Sequence, residues 1–366
     1  MQPQSRRDFL AAAGLAGIAA LPIASIASIA TAAESQSNRS EKSEKSKKTE
    51  KPMIPTQPAN NSPAGQQKPH SKPHADQDKI GYSIGCFTRP WAAHEYPVAL
   101  DAIAEAGFEY VGLMTHKGGQ VLSAATSIDE AHKIGEQIKK RGLKTSTVYG
   151  GDIEANKGLP AAIAAMRRLI DNCVAVGASS VLMGGTIDAK LYDDYYKAIA
   201  ENCDYAESKK LTIVIKPHGG QNSTGAECRK CVERVNHRNF RLWYDAGNIY
   251  YYSDGKLSPV DDAATVDGLV TGMCVKDYLF AKEATPSQKA TPKSVDVTPG
   301  TGAVDFPAVM RVLHKGGFTH GPLVIETLAA KTALPDILAE AKKGRLFVEQ
   351  LVRGLEPGSQ EHKGQL

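Results

Sequence analysis

The chain is poor in aromatic side chains, 6% of its 366 residues, with only two tryptophans. Net charge is also scarce where it would matter. Of the formal +4 at pH 7, +1 lies in residues 1–33 and +3 in residues 34–79, which leaves residues 80–366 near zero. A neutral body of this size argues against nucleic-acid binding, which draws on a basic face to neutralise phosphates. A second CxxC is missing: Cys228-Arg-Lys-Cys231 stands alone in a helix-like run, which argues against a zinc ribbon. The six cysteines, Cys86, Cys173, Cys203, Cys228, Cys231 and Cys274, set no disulfide connectivity by spacing. The first strand-like run also lacks a glycine-rich phosphate turn, since it ends Gly85-Cys86-Phe87-Thr88. That speaks against a doubly wound dinucleotide fold.

The N-terminus reads as an address. Ser5-Arg6-Arg7-Asp8-Phe9-Leu10 precedes an apolar stretch from Ala11 to about Ala33, with Ala30-Thr31-Ala32 as a small-x-small cleavage candidate. A charged segment, an apolar segment and a cleavage site in that order make a secretory signal. The paired arginines followed by x-Phe-Leu resemble a twin-arginine signal in particular. The stretch is long enough for a membrane anchor, but it is rich in alanine and glycine and broken by Pro22. The expectation for residues 1–33 is therefore a signal handled by the twin-arginine export machinery, delivering the folded protein to the periplasm or beyond. Residues 34–79 run through Ser/Glu/Lys into Pro/Gln/Asn/His with almost no apolar residues. Such a segment cannot bury enough surface to fold, so a disordered polar linker is predicted, with His70 and His74 as solvated linker residues. Residues 356–366 are predicted to be a disordered tail.

From Lys79 onward, short β-branched runs alternate with longer amphipathic ones, the pattern of βα units around a parallel sheet. The predicted strands are 80–86, Tyr110–Met114, Lys144–Tyr149, Ser179–Met183, Leu211–Ile215, Phe240–Tyr244, Thr271–Val275 and Pro322–Ile325. Eight units within about 275 residues match the size of an α/β protein of the (β/α)8 TIM barrel class. The barrel is predicted to occupy residues 80–355. The Lys/Thr/Pro/Ser-rich segment 281–297 reads as a lid or a flexible insertion.

In such barrels the chemistry sits at the C-terminal ends of the strands. Polar groups gather there in this sequence. Strand two is followed by Thr115-His116-Lys117 and strand three ends in Tyr149. Strand five ends Lys216-Pro217-His218, strand six Asp245-Ala246-Gly247-Asn248, strand seven Lys276-Asp277 and strand eight Glu326-Thr327. Any one of these could be a helix cap or a solvated loop; six on one rim point to a site.

The phrases Ile215-Lys216-Pro217-His218-Gly219-Gly220, Tyr244-Asp245-Ala246-Gly247-Asn248, Val275-Lys276-Asp277, Pro299-Gly300-Thr301-Gly302-Ala303-Val304-Asp305-Phe306 and Val324-Ile325-Glu326 resemble the sugar phosphate isomerase/epimerase family of xylose-isomerase-like barrels. The resemblance covers about residues 80–350. It implies a divalent metal, Mn, Zn, Mg or Fe, held by Glu, Asp, His and Glu at the ends of strands five to eight. Two of those carboxylates also move protons at a sugar carbon. A metal polarises the carbonyl and stabilises an ene-diolate while a carboxylate takes and returns the proton. Asp245 matches the Asp and Glu326 the last Glu. Lys216 stands at the first Glu and Cys274 at the His.

Three accounts of that departure stay open. The metal could move to His218, Asp245 and Glu326, with His116 nearby, since mixed N/O ligands suit zinc, manganese or iron. Lys216 could supply the positive charge itself. Or the barrel could bind sugar without turning it over. Lys216, Glu326 and His116 are the candidate catalytic residues. Asn248, Lys276, Asp277 and Trp91 are candidate substrate contacts, Trp91 by stacking on a sugar face. Each has a plainer reading as a cap, an ion pair or packing, and Cys274 reads as core filler. The resulting expectation is an exported isomerase or epimerase that abstracts a proton next to a carbonyl of a small carbohydrate. The alternatives are a keto-sugar or cyclitol lyase or dehydratase, and a carbohydrate-binding barrel. The endonuclease side of the superfamily would need a His/Asp/Glu-rich zinc cluster, and Lys216, Asn248 and Cys274 stand where its ligands would be expected.

Overall fold

The computed structural model describes residues 81–285 and 288–355. The predicted signal, linker and tail lie outside these. Eight parallel strands close into a barrel: Gly81–Phe87, Tyr110–Leu113, Lys144–Tyr149, Ser180–Met183, Thr212–Ile215, Phe240–Tyr244, Val270–Val275 and His320–Ile325. The first strand pairs with the last from Gly81↔His320 to Cys86↔Ile325, which completes the ring. The predicted (β/α)8 architecture is therefore the observed one, with strand bounds shifted by two residues or fewer at each end.

Several helices start where an apolar stripe meets a side-chain cap. Ile128–Lys140 starts at Ser127, whose hydroxyl accepts from the Glu130 N–H, and buries Ala131, Ile134 and Ile138. Gly225–Val235 starts in a capping box between Thr224 and Glu227. The amphipathic run after the fourth strand forms two helices, Tyr192–Ala200 and Cys203–Ser208. Asn202 sits at the break, its side-chain amide donating to the carbonyls of Ala198 and Ile163. A short polar side chain that bonds the backbone in this way offers the chain an alternative to continuing the helix. Of the described helices, none is long and apolar enough to cross a membrane.

Two features were not expected. Thr115–His116 and Gly119–Gln120 form a small antiparallel hairpin beyond the second strand. The segment after the seventh strand folds back on itself through the pairs Leu279↔Ser294, Lys282↔Thr291 and Thr285↔Gln288.

The core has two parts. The larger lies between strands and helices. The smaller fills the barrel and is made of Phe87, Met114, Leu182, Val214, Trp243, Cys274 and Val324, one from each of seven strands or strand ends. All six cysteines are buried and unpaired.

Candidate functional site

The period of two along a strand decides what stands above this inner layer. Two residues beyond Val214, Trp243, Cys274, Val324 and Phe87 come Lys216, Asp245, Lys276, Glu326 and Arg89. The last apolar layer of the barrel thus carries a charged layer directly over it, at the C-terminal rim. The first four of these side chains are buried.

They form one connected cluster. The Lys216 ammonium donates to Asp245 Oδ2 at 3.1 Å and to Glu326 Oε2. Lys276 Nζ lies 2.6 Å from Glu326 Oε1, 3.4 Å from Asp245 Oδ2 and 3.1 Å from Asn248 Oδ1. Arg89, one-third exposed, donates to Glu326 Oε1 at 2.7 Å and reaches Asp296 at 3.7 Å. Asp245 also caps the helix Ala246–Tyr252, accepting from the Asn248 N–H at 3.0 Å. Asn248 is fixed in turn by donating to the Pro217 carbonyl at 2.7 Å.

Burial disfavours every charge in this cluster, and the partners decide the outcome. Burial weighs against the Glu326 carboxylate, but Lys216, Lys276 and Arg89 outweigh it and hold it well below the usual carboxylate range. For Lys216, burial is outweighed by Glu326 and Asp245, which hold its ammonium well above the usual lysine value. For Lys276, burial prevails and the pKa is lowered.

The wall over the cluster is aromatic. The Lys216 ammonium lies 5.9 Å from the centre of the Tyr149 ring. The His218 ring sits 6.0 Å from Tyr149 and 5.9 Å from Tyr252 between ring centres. Burial, with Lys216 and Lys276 nearby, lowers the His218 pKa to about 3, so the imidazole is neutral. On strand four the position above Leu182 is Gly184. A Cβ there would come within 2.5 Å of the Tyr149 hydroxyl and 3.1 Å of His218 Nδ1. The missing side chain lets Tyr149 and His218 pack over the strand end.

The remaining candidates fall elsewhere. His116 is outside the cluster, with Nδ1 3.5 Å from Glu95 and its ring edge-on to Tyr96. Trp91 is fully buried, so neither ring face is open to a sugar. Asp277 has the opposite strand parity to Lys276. Its carboxylate turns away and accepts from the N–H groups of Tyr278, Gly300, Gly302 and Val304 at 2.8–3.1 Å. It anchors the Pro299–Val304 loop. Arg89 was not among the candidates, and Tyr149 was placed on the rim without a role. Parity was the available signal for both, since they stand two residues past inward-facing Phe87 and Thr147.

Asp245, Cys274 and Glu326 offer ligand atoms within 4.8 Å of one another, a candidate metal group that does not include His218. The donor set does not suit a divalent cation in this arrangement. Both carboxylates already face two ammonium groups, and Glu326 also meets Arg89. A dication about 4 Å from one ammonium would be repelled by roughly 8 kcal/mol at an effective dielectric of about 20. The third donor is a thiol in the apolar layer, which burial holds protonated.

Residues 100–350 match the family described as xylose isomerase-like TIM barrels, and the chain belongs to that family. Its fold is similar to that of an L-ribulose 3-epimerase at 17% identity, covering 76% of this chain and 99% of that one, with a TM-score of 0.56. A D-allulose 3-epimerase from Methylomonas sp. in complex with D-allulose is similar at 15% identity, 76% and 99% coverage and a TM-score of 0.57. A xylose isomerase-like TIM barrel protein from Mycobacterium smegmatis in complex with magnesium is similar at 16% identity, 76% and 98% coverage and a TM-score of 0.57. No curated protein matches the sequence.

Proposed function

We propose that this barrel is a carbohydrate isomerase or epimerase-like enzyme that moves a proton at a carbon next to a carbonyl. The observation that carries the reading is the buried Lys216–Asp245–Lys276–Glu326 cluster at the strand ends where this fold places its chemistry. Sugar epimerases with the same fold support it.

Proton abstraction next to a carbonyl needs a base and a group that stabilises the oxyanion. Glu326 is the carboxylate retained for the first task, and Lys216 is its hydrogen-bond partner. As the cluster stands, Glu326 is a weak base because cations hold both its oxygens. A substrate oxygen that draws the ammonium N–H groups to itself would release lone pairs on Glu326. Basicity would then arise where and when the substrate is in place. Tyr149, His218 and Tyr252 form the wall against which a sugar would lie.

Export through the twin-arginine pathway belongs to the same proposal and rests on Arg6-Arg7 and the apolar stretch that follows. A protein working in the periplasm or outside would meet free, oxidised or glycosidic sugars rather than phosphorylated ones.

The test is solvent exchange. Free and oxidised keto-sugars incubated with the protein in D2O should gain deuterium next to the carbonyl, read by NMR. Glu326→Gln should fold and lose the exchange. Exchange with loss of water or an aglycone would indicate the lyase alternative. Sugar binding by calorimetry without exchange would indicate a binding barrel. Full exchange in Glu326→Gln would remove Glu326 from the mechanism.

A further inference from the structure

We propose that the ammonium groups of Lys216 and Lys276 take the place of a divalent cation in this barrel, so that the site carries its own two positive charges to receive a substrate oxygen.

Position is the first argument. Both ammonium groups touch the oxygens of Asp245 and Glu326, the two carboxylates of the one buried candidate metal group among the described residues. Two charges of +1 there balance two carboxylates, as one dication would. Arg89, one-third exposed, adds a third positive charge on Glu326 and shares it with Asp296. An oxyanion or an enolate oxygen would find cations on two sides of Glu326.

Geometry is the second argument. Lysine has three N–H donors. Lys216 spends two, on Asp245 and Glu326, and no described residue accepts the third. Its nitrogen lies on the side of the Tyr149 ring, which forms the wall of the mouth. Lys276 is held by Asn248, which is itself tied to Pro217 and Asp245. The pair is thus fixed in advance, which is what electrostatic stabilisation of a developing oxyanion requires.

The other donor of the candidate metal group is turned to packing. The thiol of Cys274 belongs to the apolar layer with Val214, Trp243 and Val324. A side chain packed in this way fills volume.

This inference deepens the proton-transfer reading, but its test does not depend on activity. The full-length protein is purified and its metal content measured by elemental analysis. Its melting temperature is followed with millimolar MnCl2, MgCl2 or ZnCl2, and after EDTA. A cation that binds the folded state must raise the melting temperature. The expected result is no stoichiometric metal and no shift in either direction. One equivalent of a transition metal or magnesium, lost to EDTA with a fall in melting temperature, would overturn the proposal. Lys216→Glu puts a carboxylate where the ammonium stood and is expected to gain a Mn2+-dependent rise in melting temperature. A folded Lys216→Glu protein that gains none would also count against Lys216 as the group that keeps the cation out. The wild-type measurement decides the question even where that variant does not fold. Failure to exchange deuterium on any sugar would strike the proton-transfer reading and leave the metal result intact.

Discussion

Lys276 and Glu326 leave adjacent strands two residues beyond the paired Cys274 and Val324, and their Nζ and Oε1 atoms meet at 2.6 Å. The strand register sets that contact, so it is part of how the barrel closes as well as part of the site. Removing one partner of a buried pair leaves a charge without its counterion, at about 3–5 kcal/mol. Here Lys216 and Arg89 remain on Glu326, so Lys276→Met should fall near the lower end of that range. Glu326→Gln should also destabilise, because Lys216 and Lys276 then share the single carboxylate of Asp245 and Arg89 keeps only Asp296. The double variant Lys276→Met/Glu326→Gln should cost less than the sum of the two by about 1–3 kcal/mol. Urea denaturation at neutral pH measures all three. Additive single costs would mean that the two groups do not depend on each other.

Asp262 predicts a pH dependence of stability away from the site. Burial pushes its pKa up to about 6, although the Tyr244 hydroxyl and the Gly225 N–H donate to it. An unfolded aspartate titrates near 3.9. Between those values the folded state holds more protons than the unfolded state, so stability falls as pH rises through the window. Asp262→Asn should flatten the stability curve between about pH 4 and 6. An unchanged slope in that variant would show that Asp262 is not the group responsible.

Much of this molecule is legible as sequence, and the illegible part has a physical reason. Alternating runs identify the strands because burial on both faces of a parallel sheet demands β-branched and apolar residues. The rim residues Lys216, Asp245 and Glu326 follow from strand ends alone. Their mutual distances do not, because those depend on strand register and the shear of the closed barrel. Reading Lys276 and Asp277 as one rim pair overlooked strand parity, which sends the first into the barrel and the second into a loop. Arg89 was passed over because it stands two residues beyond its strand, inside a short 3-10 turn. The 279–294 ribbon is a composition-poor segment whose pairing comes from backbone hydrogen bonds, which leave little trace in residue type.

Asp277 anchors the Pro299–Val304 loop by accepting from the N–H groups of Gly300, Gly302 and Val304, and it also accepts from the Tyr278 N–H beside it. Asp277→Ala would leave those donors without an acceptor, at about 1–3 kcal/mol for each one that stays buried and unsatisfied. Water would reach some of them once the loop moved. The expected result is a clear fall in melting temperature together with new protease cleavage within residues 298–304. Asp277→Asn keeps one acceptor oxygen and should fall between alanine and wild type. Cleavage no faster than wild type in the alanine variant would show that the loop is held by other contacts.

Gly184 is the position where the smallest change should separate fold from function. Its backbone is under Tyr149 and His218, and a methyl group there would meet the Tyr149 hydroxyl at 2.5 Å. That distance is below contact, so Tyr149 must swing into the mouth or the strand must shift. Overpacking of this kind costs about 1–3 kcal/mol. Gly184→Ala should therefore fold with a lowered melting temperature and show weakened sugar binding by calorimetry, because the displaced ring would occupy the space a substrate needs. Removing the hydroxyl removes the closest contact and leaves the 3.1 Å approach to His218 Nδ1. The double variant Gly184→Ala/Tyr149→Phe should recover most of the melting temperature, while Tyr149→Phe alone should change it little. If the double variant is no more stable than Gly184→Ala, the strand and not the Tyr149 hydroxyl absorbs the added methyl group. The mouth would then be shaped by the backbone of strand four and not by the ring above it.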